Sequence, residues 1–274
     1  MRRCALLLVI LLGCTGDPAA PHLARGNVLV NNGKREEAAA EYREAARLAP
    51  KAALPLERLG DTLHDLGRPE EALVAYRQAS ARDPGSITAR IGAARVFLEQ
   101  NRLAQARDEL TLALRDQPSN LYALLSRGNV FQREGNFKAA LQDYETAVHL
   151  KSDNVPALYQ YGLALLADGQ REEADRTFDR LVKVAPDSPE GYHGRARGAA
   201  ARGDAEGAAR ALREAGLRVA KDARAQLAEQ GLTGDALDRA AAETTRRSLA
   251  QMRSETAFAA FASDAAFRRN AGWE

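Results

Sequence analysis

Asp61, His64 and Asp65 form the cluster in this sequence whose residue types and spacing most suggest chemistry. Separations of three and four residues place the three side chains on one face of a helix. Two carboxylates and an imidazole arranged in this way could coordinate a divalent ion. Nothing nearby in the sequence completes the shell, so we predict no metal here and interpret the cluster as part of a solvated helix face.

Catalytic sets of other kinds are missing from the sequence. It contains four histidines, no glycine-rich phosphate loop and no serine in a nucleophile-elbow context. The two cysteines, Cys4 and Cys14, both fall within the first fourteen residues, where neither serves as a nucleophile. We therefore predict that the protein is not an enzyme and uses no cofactor or small-molecule substrate.

The first residues have the features of an export signal. Arg2 and Arg3 precede an apolar run over residues 5–12, which is too short to span a bilayer. The run ends in Leu-Leu-Gly-Cys, which resembles the bacterial lipobox, where the cysteine is acylated and becomes the mature amino terminus. The resemblance implies a signal peptide over residues 1–13, a lipid on Cys14 and a tether over residues 14–18; cleavage nearby and an uncleaved anchor are the alternatives.

The destination follows from the same motif. The residue after the cysteine is Thr15 and not the aspartate that marks retention in the inner membrane, so we expect the outer membrane. There the protein would face the periplasm and contact the membrane through its lipid only. Of the chain's 39 basic residues, Arg2 and Arg3 leave with the signal, and the remaining 37 balance 37 acidic residues. This balance argues against a nucleic-acid partner.

A pattern with a period of 34 residues organises most of the chain, and such a period is typical of stacked helical repeats. Each unit is predicted to form two helices joined at a residue that tolerates a left-handed backbone. Those residues are Gly33, Gly67, Asn101, Gly135, Gly169 and Gly203. Five residues further on there is a small alanine, and four residues after it a bulky side chain on the same helix face, as in Ala72 and Tyr76. The six repeats are residues 19–52, 53–86, 87–120, 121–154, 155–188 and 189–222.

This pattern resembles the tetratricopeptide repeat family. The resemblance covers about three quarters of the chain and includes first-helix residues such as Leu56, Leu59, Gly60 and Leu63. It implies an all-α, right-handed superhelical solenoid of six helix-turn-helix repeats, followed by a helical tail. In this family the first helices line a concave wall that binds a segment of a partner protein.

The predicted partner-binding groove is drawn from the inward positions of the first helices. Its residues are Glu57, Arg58, Asp61, His64, Asp65, Arg95, Glu99, Tyr122, Asn129, Arg133, Tyr159 and Arg197.

Residues 223–274 depart from the repeat and are predicted to form a capping helix and a helical tail. Thr233 is expected to open a long helix. The tail carries Phe258, Phe261, Phe267 and Trp273, which we expect to dock on the convex side of the stack; binding a partner or filling the groove are the alternatives.

We therefore expect a lipid-anchored scaffold that binds another protein, such as a component of envelope assembly or secretion. One alternative is a pilotin-like lipoprotein that assists assembly of a secretin or type IV pilus. Another is an accessory subunit of a cell-wall or polysaccharide enzyme, whose groove would hold glycan or a synthase loop.

Overall fold

The computed structural model describes residues 17–261 and 264–271, and over these residues the chain is helical with no strand. It divides into an N-terminal unit, residues 1–118, and a C-terminal unit, residues 119–274. The N-terminal unit contains α1 (Ala20–Asn31), α2 (Arg35–Leu48), α3 (Leu54–Asp65), α4 (Pro69–Arg82), α5 (Ile87–Glu99) and α6 (Leu103–Asp116). The C-terminal unit contains α7 (Leu121–Arg133), α8 (Phe137–Leu150), α9 (Val155–Ala167), α10 (Arg171–Val184), α11 (Pro189–Ala201), α12 (Ala205–Glu229), α13 (Gly234–Arg253), a 3₁₀ helix (Thr256–Phe261) and α14 (Ala265–Asn270).

The turn inside each repeat has the predicted left-handed residue. All six turn residues have φ between 58° and 84°, and Asn101 is the one that is not glycine. After the glycine, the next amide bonds back to the end of the first helix, as when Arg68 N–H donates to the Leu63 carbonyl at 2.9 Å. This bond satisfies a carbonyl that the ending helix leaves without a partner. The turns therefore fix where the two helices of each repeat separate.

A pairing of glycine with an aromatic ring builds the core of four repeats. Tyr76 is fully buried, and a Cβ atom placed on Gly60 would lie only 2.5 Å from its ring. The same arrangement pairs Gly26 with Tyr42, Gly128 with Tyr144 and Gly162 with Phe178. In the third and sixth repeats the pairs are Ala94 with Leu110 and Ala196 with Leu212, all buried. The second-helix side chain thus decides how much room remains on the first helix.

Within each unit the first helices of successive repeats lie side by side. In the N-terminal unit α3 contacts α5, and in the C-terminal unit α7 contacts α9, which in turn contacts α11. The first-helix residues that face away from the second helices form one face in each unit. We call these the N-terminal face, on α1, α3 and α5, and the C-terminal face, on α7, α9 and α11.

The end of the chain differs from the expected separate capping helix. Helix α12 runs from Ala205 to Glu229 without a break, so the residues after Asp222 extend the second helix of the sixth repeat. Thr233 precedes α13 as predicted, and Leu249 of α13 packs against Gly216 of α12. The 3₁₀ helix contacts α11, and α14 contacts α12. The tail therefore folds back on the sixth repeat.

Among the described residues, no helix combines the length and the apolar character needed to cross a bilayer. Cys14 and the predicted signal peptide lie outside the described residues, as does Trp273.

Candidate partner-binding faces

Asp61 is at the centre of a polar network on the N-terminal face. Its Oδ1 accepts a hydrogen bond from the Tyr76 hydroxyl at 2.7 Å and one from the Arg95 guanidinium at 3.1 Å. The same Arg95 nitrogen also donates to the Tyr76 hydroxyl at 3.2 Å. Burial, followed by the nearby Asp61 carboxylate, raises the pKa of Tyr76, so this residue stays a neutral donor. Asp61 therefore holds a core tyrosine in place in addition to facing solvent.

The other charged residues of the predicted cluster pair with neighbours. His64 Nε2 lies 2.8 Å from both carboxylate oxygens of Glu99, and Asp65 lies 3.7 Å from the Arg35 guanidinium. His64 Nδ1 also lies 3.7 Å from Asp65, whereas Asp61 bonds to Tyr76 and Arg95. Within the described residues no group of three histidine, cysteine or carboxylate side chains is placed to hold a metal ion.

Glu57 supports the start of a helix. Its Oε1 accepts a hydrogen bond from Ser86 Oγ at 2.5 Å, while the same Oγ accepts the Ala89 amide at 3.1 Å and caps α5. Such caps contribute about 1 kcal/mol. Glu57 lies on the predicted face, but its contact is structural.

Arg58 lies beside an open cavity on the N-terminal face. The cavity measures about 300 Å³. Its lining residues are Asn27, Val30, Asn31, Tyr42, Arg58, Asp61, Thr62 and Asp65. Arg58 is exposed, and over the chain that the structure describes its guanidinium makes no hydrogen bond and no ion pair, although its backbone carbonyl accepts a hydrogen bond from the Thr62 hydroxyl. The cavity therefore offers amide groups, two carboxylates and an available guanidinium to a polar ligand segment.

On the C-terminal face the predicted residues fall into two groups. Tyr122 and Arg133 are exposed and Asn129 is half-buried, so these three lie at the surface as expected. Tyr159 and Arg197 instead belong to a packed cluster with His193. The Tyr159 hydroxyl lies 2.6 Å from His193 Nδ1, and burial raises the pKa of Tyr159 to about 12.

Glu255, which lies between α13 and the 3₁₀ helix, is placed between two residues of this cluster. Its Oε1 is 3.0 Å from His193 Nε2, and its Oε2 accepts a hydrogen bond from Arg197 at 3.2 Å. Because Nε2 faces the Glu255 carboxylate, this is the ring nitrogen to which the proton is assigned. Burial alone raises the pKa of Glu255, but the polar contact with His193 and the charges of His193 and Arg197 outweigh it and hold the pKa below its ordinary value.

Phe258 follows Glu255 by three residues and is fully buried. Its ring centroid lies 6.1 Å from that of His193. It packs into a cluster with Ala196, Ala199, Ala208, Ala209, Leu212, Phe267 and Ala271. The expectation that the tail docks on the convex side is therefore too narrow, because Phe258 packs on residues of both α11 and α12 and Glu255 contacts His193 and Arg197 of the first helix α11. The sequence pattern did not predict which repeat residues the tail would contact, because the 34-residue period ends before the tail begins.

Comparison with known families gives the same repeats. Models described as tetratricopeptide repeat match residues 63–128 and 132–198, residues 23–87 and residues 189–214. The chain belongs to the tetratricopeptide repeat family. The predicted all-α repeat solenoid is thereby confirmed, and such arrays are typically non-catalytic scaffolds.

Solved tetratricopeptide repeat structures share this fold at low sequence identity. A repeat protein from Parabacteroides merdae is 19% identical over 94% of this chain and 98% of its own, with a TM-score of 0.65. YrrB, described as having an unusual peptide-binding site, is 24% identical over 70% and 98%, with a TM-score of 0.56. PilF of Pseudomonas aeruginosa is 19% identical over 74% and 90%, with a TM-score of 0.62. No curated protein matches the sequence. At these identities the likeness concerns the fold alone.

Proposed function

We propose that this tetratricopeptide repeat protein is a non-catalytic scaffold that binds a segment of a partner protein on its first-helix faces. The observation that carries the proposal is the cavity beside Arg58 on the N-terminal face. An exposed guanidinium next to Asn27, Asn31 and Asp65 can bind backbone carbonyls and acidic side chains of an extended segment, while neighbouring carboxylate and amide groups bind its N–H groups.

We further propose that a lipid on Cys14 holds the scaffold at the bacterial envelope, so that its partner is a component of envelope assembly or secretion. The support is the lipobox resemblance in the sequence. The pilotin-like and enzyme-accessory roles stay alternative predictions. Tyr159 is not available for stacking on a sugar, because it already contacts His193 and Phe178.

Reversing the charge of Arg58 tests the proposal. Because Arg58 is exposed and unpaired within the described chain, Arg58→Glu should change the free energy of unfolding by no more than about 0.5 kcal/mol. Recovery of partner proteins from gently solubilised envelopes should nevertheless fall at least about tenfold, and the remaining binding should depend less on salt.

Arg77→Glu is the matched control, because Arg77 is an exposed arginine on the second helix α4. Its partner recovery should equal that of the wild type. Equal loss in both variants, or loss in neither, would contradict binding on the N-terminal face. Asp61→Lys is a poor probe, since Asp61 also holds Tyr76 and its loss would lower stability.

A further inference from the structure

The tail segment over residues 255–261 lies against α11 and α12 in the way a bound peptide would. It is outside the repeats, it forms a short 3₁₀ helix, and that helix contacts α11. Its two principal contacts are chemically different: the Glu255 carboxylate meets a histidine and an arginine, and the Phe258 ring enters an alanine-lined slot. Charge and shape are both complementary, as at a peptide-binding surface.

The polar half of this site is only partly satisfied by the tail. His193 is 7% exposed, and its Nε2 lies near Glu255 without the geometry of a hydrogen bond. Arg197 Nε is also buried and has no hydrogen-bond acceptor among the described residues. Two buried donors are costly to leave unpaired. A segment that supplies better-placed carboxylate or carbonyl oxygens would therefore bind more strongly per contact than the tail does.

We propose that the surface of α11 and α12 that the tail covers binds a partner segment with an acidic residue and, three residues later, an aromatic residue, and that Glu255 and Phe258 occupy this site until such a segment displaces them. This inference rests on the proposed scaffold function and names the chemistry of one binding site and its regulation. Tethering raises the local concentration of the tail to the millimolar range, so a free peptide must compete with it.

A peptide with the tail's own sequence, QMRSETAFAAF, tests the proposal directly. The peptide carries a fluorescent label, and its binding to the full-length protein is followed by fluorescence anisotropy. Wild type should bind weakly, because its tail competes. The double variant Glu255→Ala with Phe258→Ala, which frees the site, should bind at least about tenfold more tightly.

Two arginines of α11 supply the matched specificity test. Adding Arg197→Gln to the released variant should weaken peptide binding at least about tenfold, since Arg197 contacts the carboxylate. Adding Arg195→Gln should leave binding unchanged, since Arg195 pairs with Asp179 instead. A peptide in which the glutamate is glutamine and the first phenylalanine is alanine should not bind to the released variant.

Circular dichroism first confirms that each variant is folded. If the double variant is not, Glu255→Gln alone keeps the Phe258 packing and should still bind the peptide more tightly than wild type. Equal binding by wild type and released variants, or equal loss with Arg195→Gln and Arg197→Gln, would overturn the inference. Such a failure leaves the scaffold function standing, because that function is tested separately at Arg58.

Discussion

Replacing Gly60 with alanine should destabilise the protein, although alanine is the better helix former. The new Cβ atom would lie 2.5, 2.7 and 2.9 Å from three carbon atoms of the Tyr76 ring, about 1 Å closer than ordinary contact. The ring cannot move away, because it is fully buried and also lies against Gly92 of α5, whose own added Cβ would meet it at 2.4 Å. The substitution therefore forces either a tilted ring or a displaced helix.

The expected magnitude follows from two opposing terms. Overpacking of a filled core costs about 1–3 kcal/mol, whereas glycine to alanine in a helix gains about 1 kcal/mol. The net destabilisation of Gly60→Ala should therefore be up to about 2 kcal/mol. Tyr76→Leu should cost about 2–4 kcal/mol, because it removes ring contacts and the hydroxyl that bonds to Asp61.

The double variant decides whether the steric argument is correct. The third and sixth repeats already carry alanine with leucine, as Ala94 with Leu110 and Ala196 with Leu212. Gly60→Ala with Tyr76→Leu should therefore be less destabilised than the sum of the single variants, by about 0.5–3 kcal/mol. Urea denaturation followed by far-ultraviolet circular dichroism measures all four free energies of unfolding.

Ala94→Gly is the control in the third repeat. It should destabilise by about 1 kcal/mol or more, since no aromatic ring fills the space that the methyl group leaves. Strictly additive costs in the double variant, or a neutral Ala94→Gly, would refute the reasoning, because glycine would then be needed for a reason other than the ring.

Two further predictions concern the ends of the chain. Cys14→Ser should leave the repeats folded but unlabelled by radioactive palmitate, and equal labelling of this variant and wild type would exclude the lipobox. Docking of the tail should weaken in acid, because the pKa of Glu255 is lowered in the docked state. The contact of the ionised Glu255 with His193 and Arg197 therefore stabilises docking at neutral pH. This stabilisation is lost as the pH falls through the lowered pKa, below 4.5. The hydrogen-exchange protection factor of the Phe258 amide, which donates to the Glu255 carbonyl, should drop in that range for wild type; a drop of the same size in Glu255→Gln would show that another group is responsible.

The repeats could be predicted from the sequence because their determinants are local and periodic. A left-handed backbone is needed at each turn, and glycine or asparagine supplies it at Gly67 or Asn101 whatever the surroundings. The coupling of Gly60 with Tyr76 was also readable in principle, since the two residues keep a fixed separation in every repeat and change together to alanine and leucine.

The pairing of charges and the place of the tail depended on tertiary structure. Asp61 and Arg58 both occupy predicted groove positions, yet Asp61 is held by Tyr76 and Arg95 while Arg58 remains available, and only the packing of neighbouring helices distinguishes them. Glu255 and Phe258 reach residues about sixty positions earlier, where no repeat register specifies the contact. Local sequence fixes a helix and its turn, whereas a contact between distant segments depends on the shape and charge of a surface that exists only after the repeats have folded.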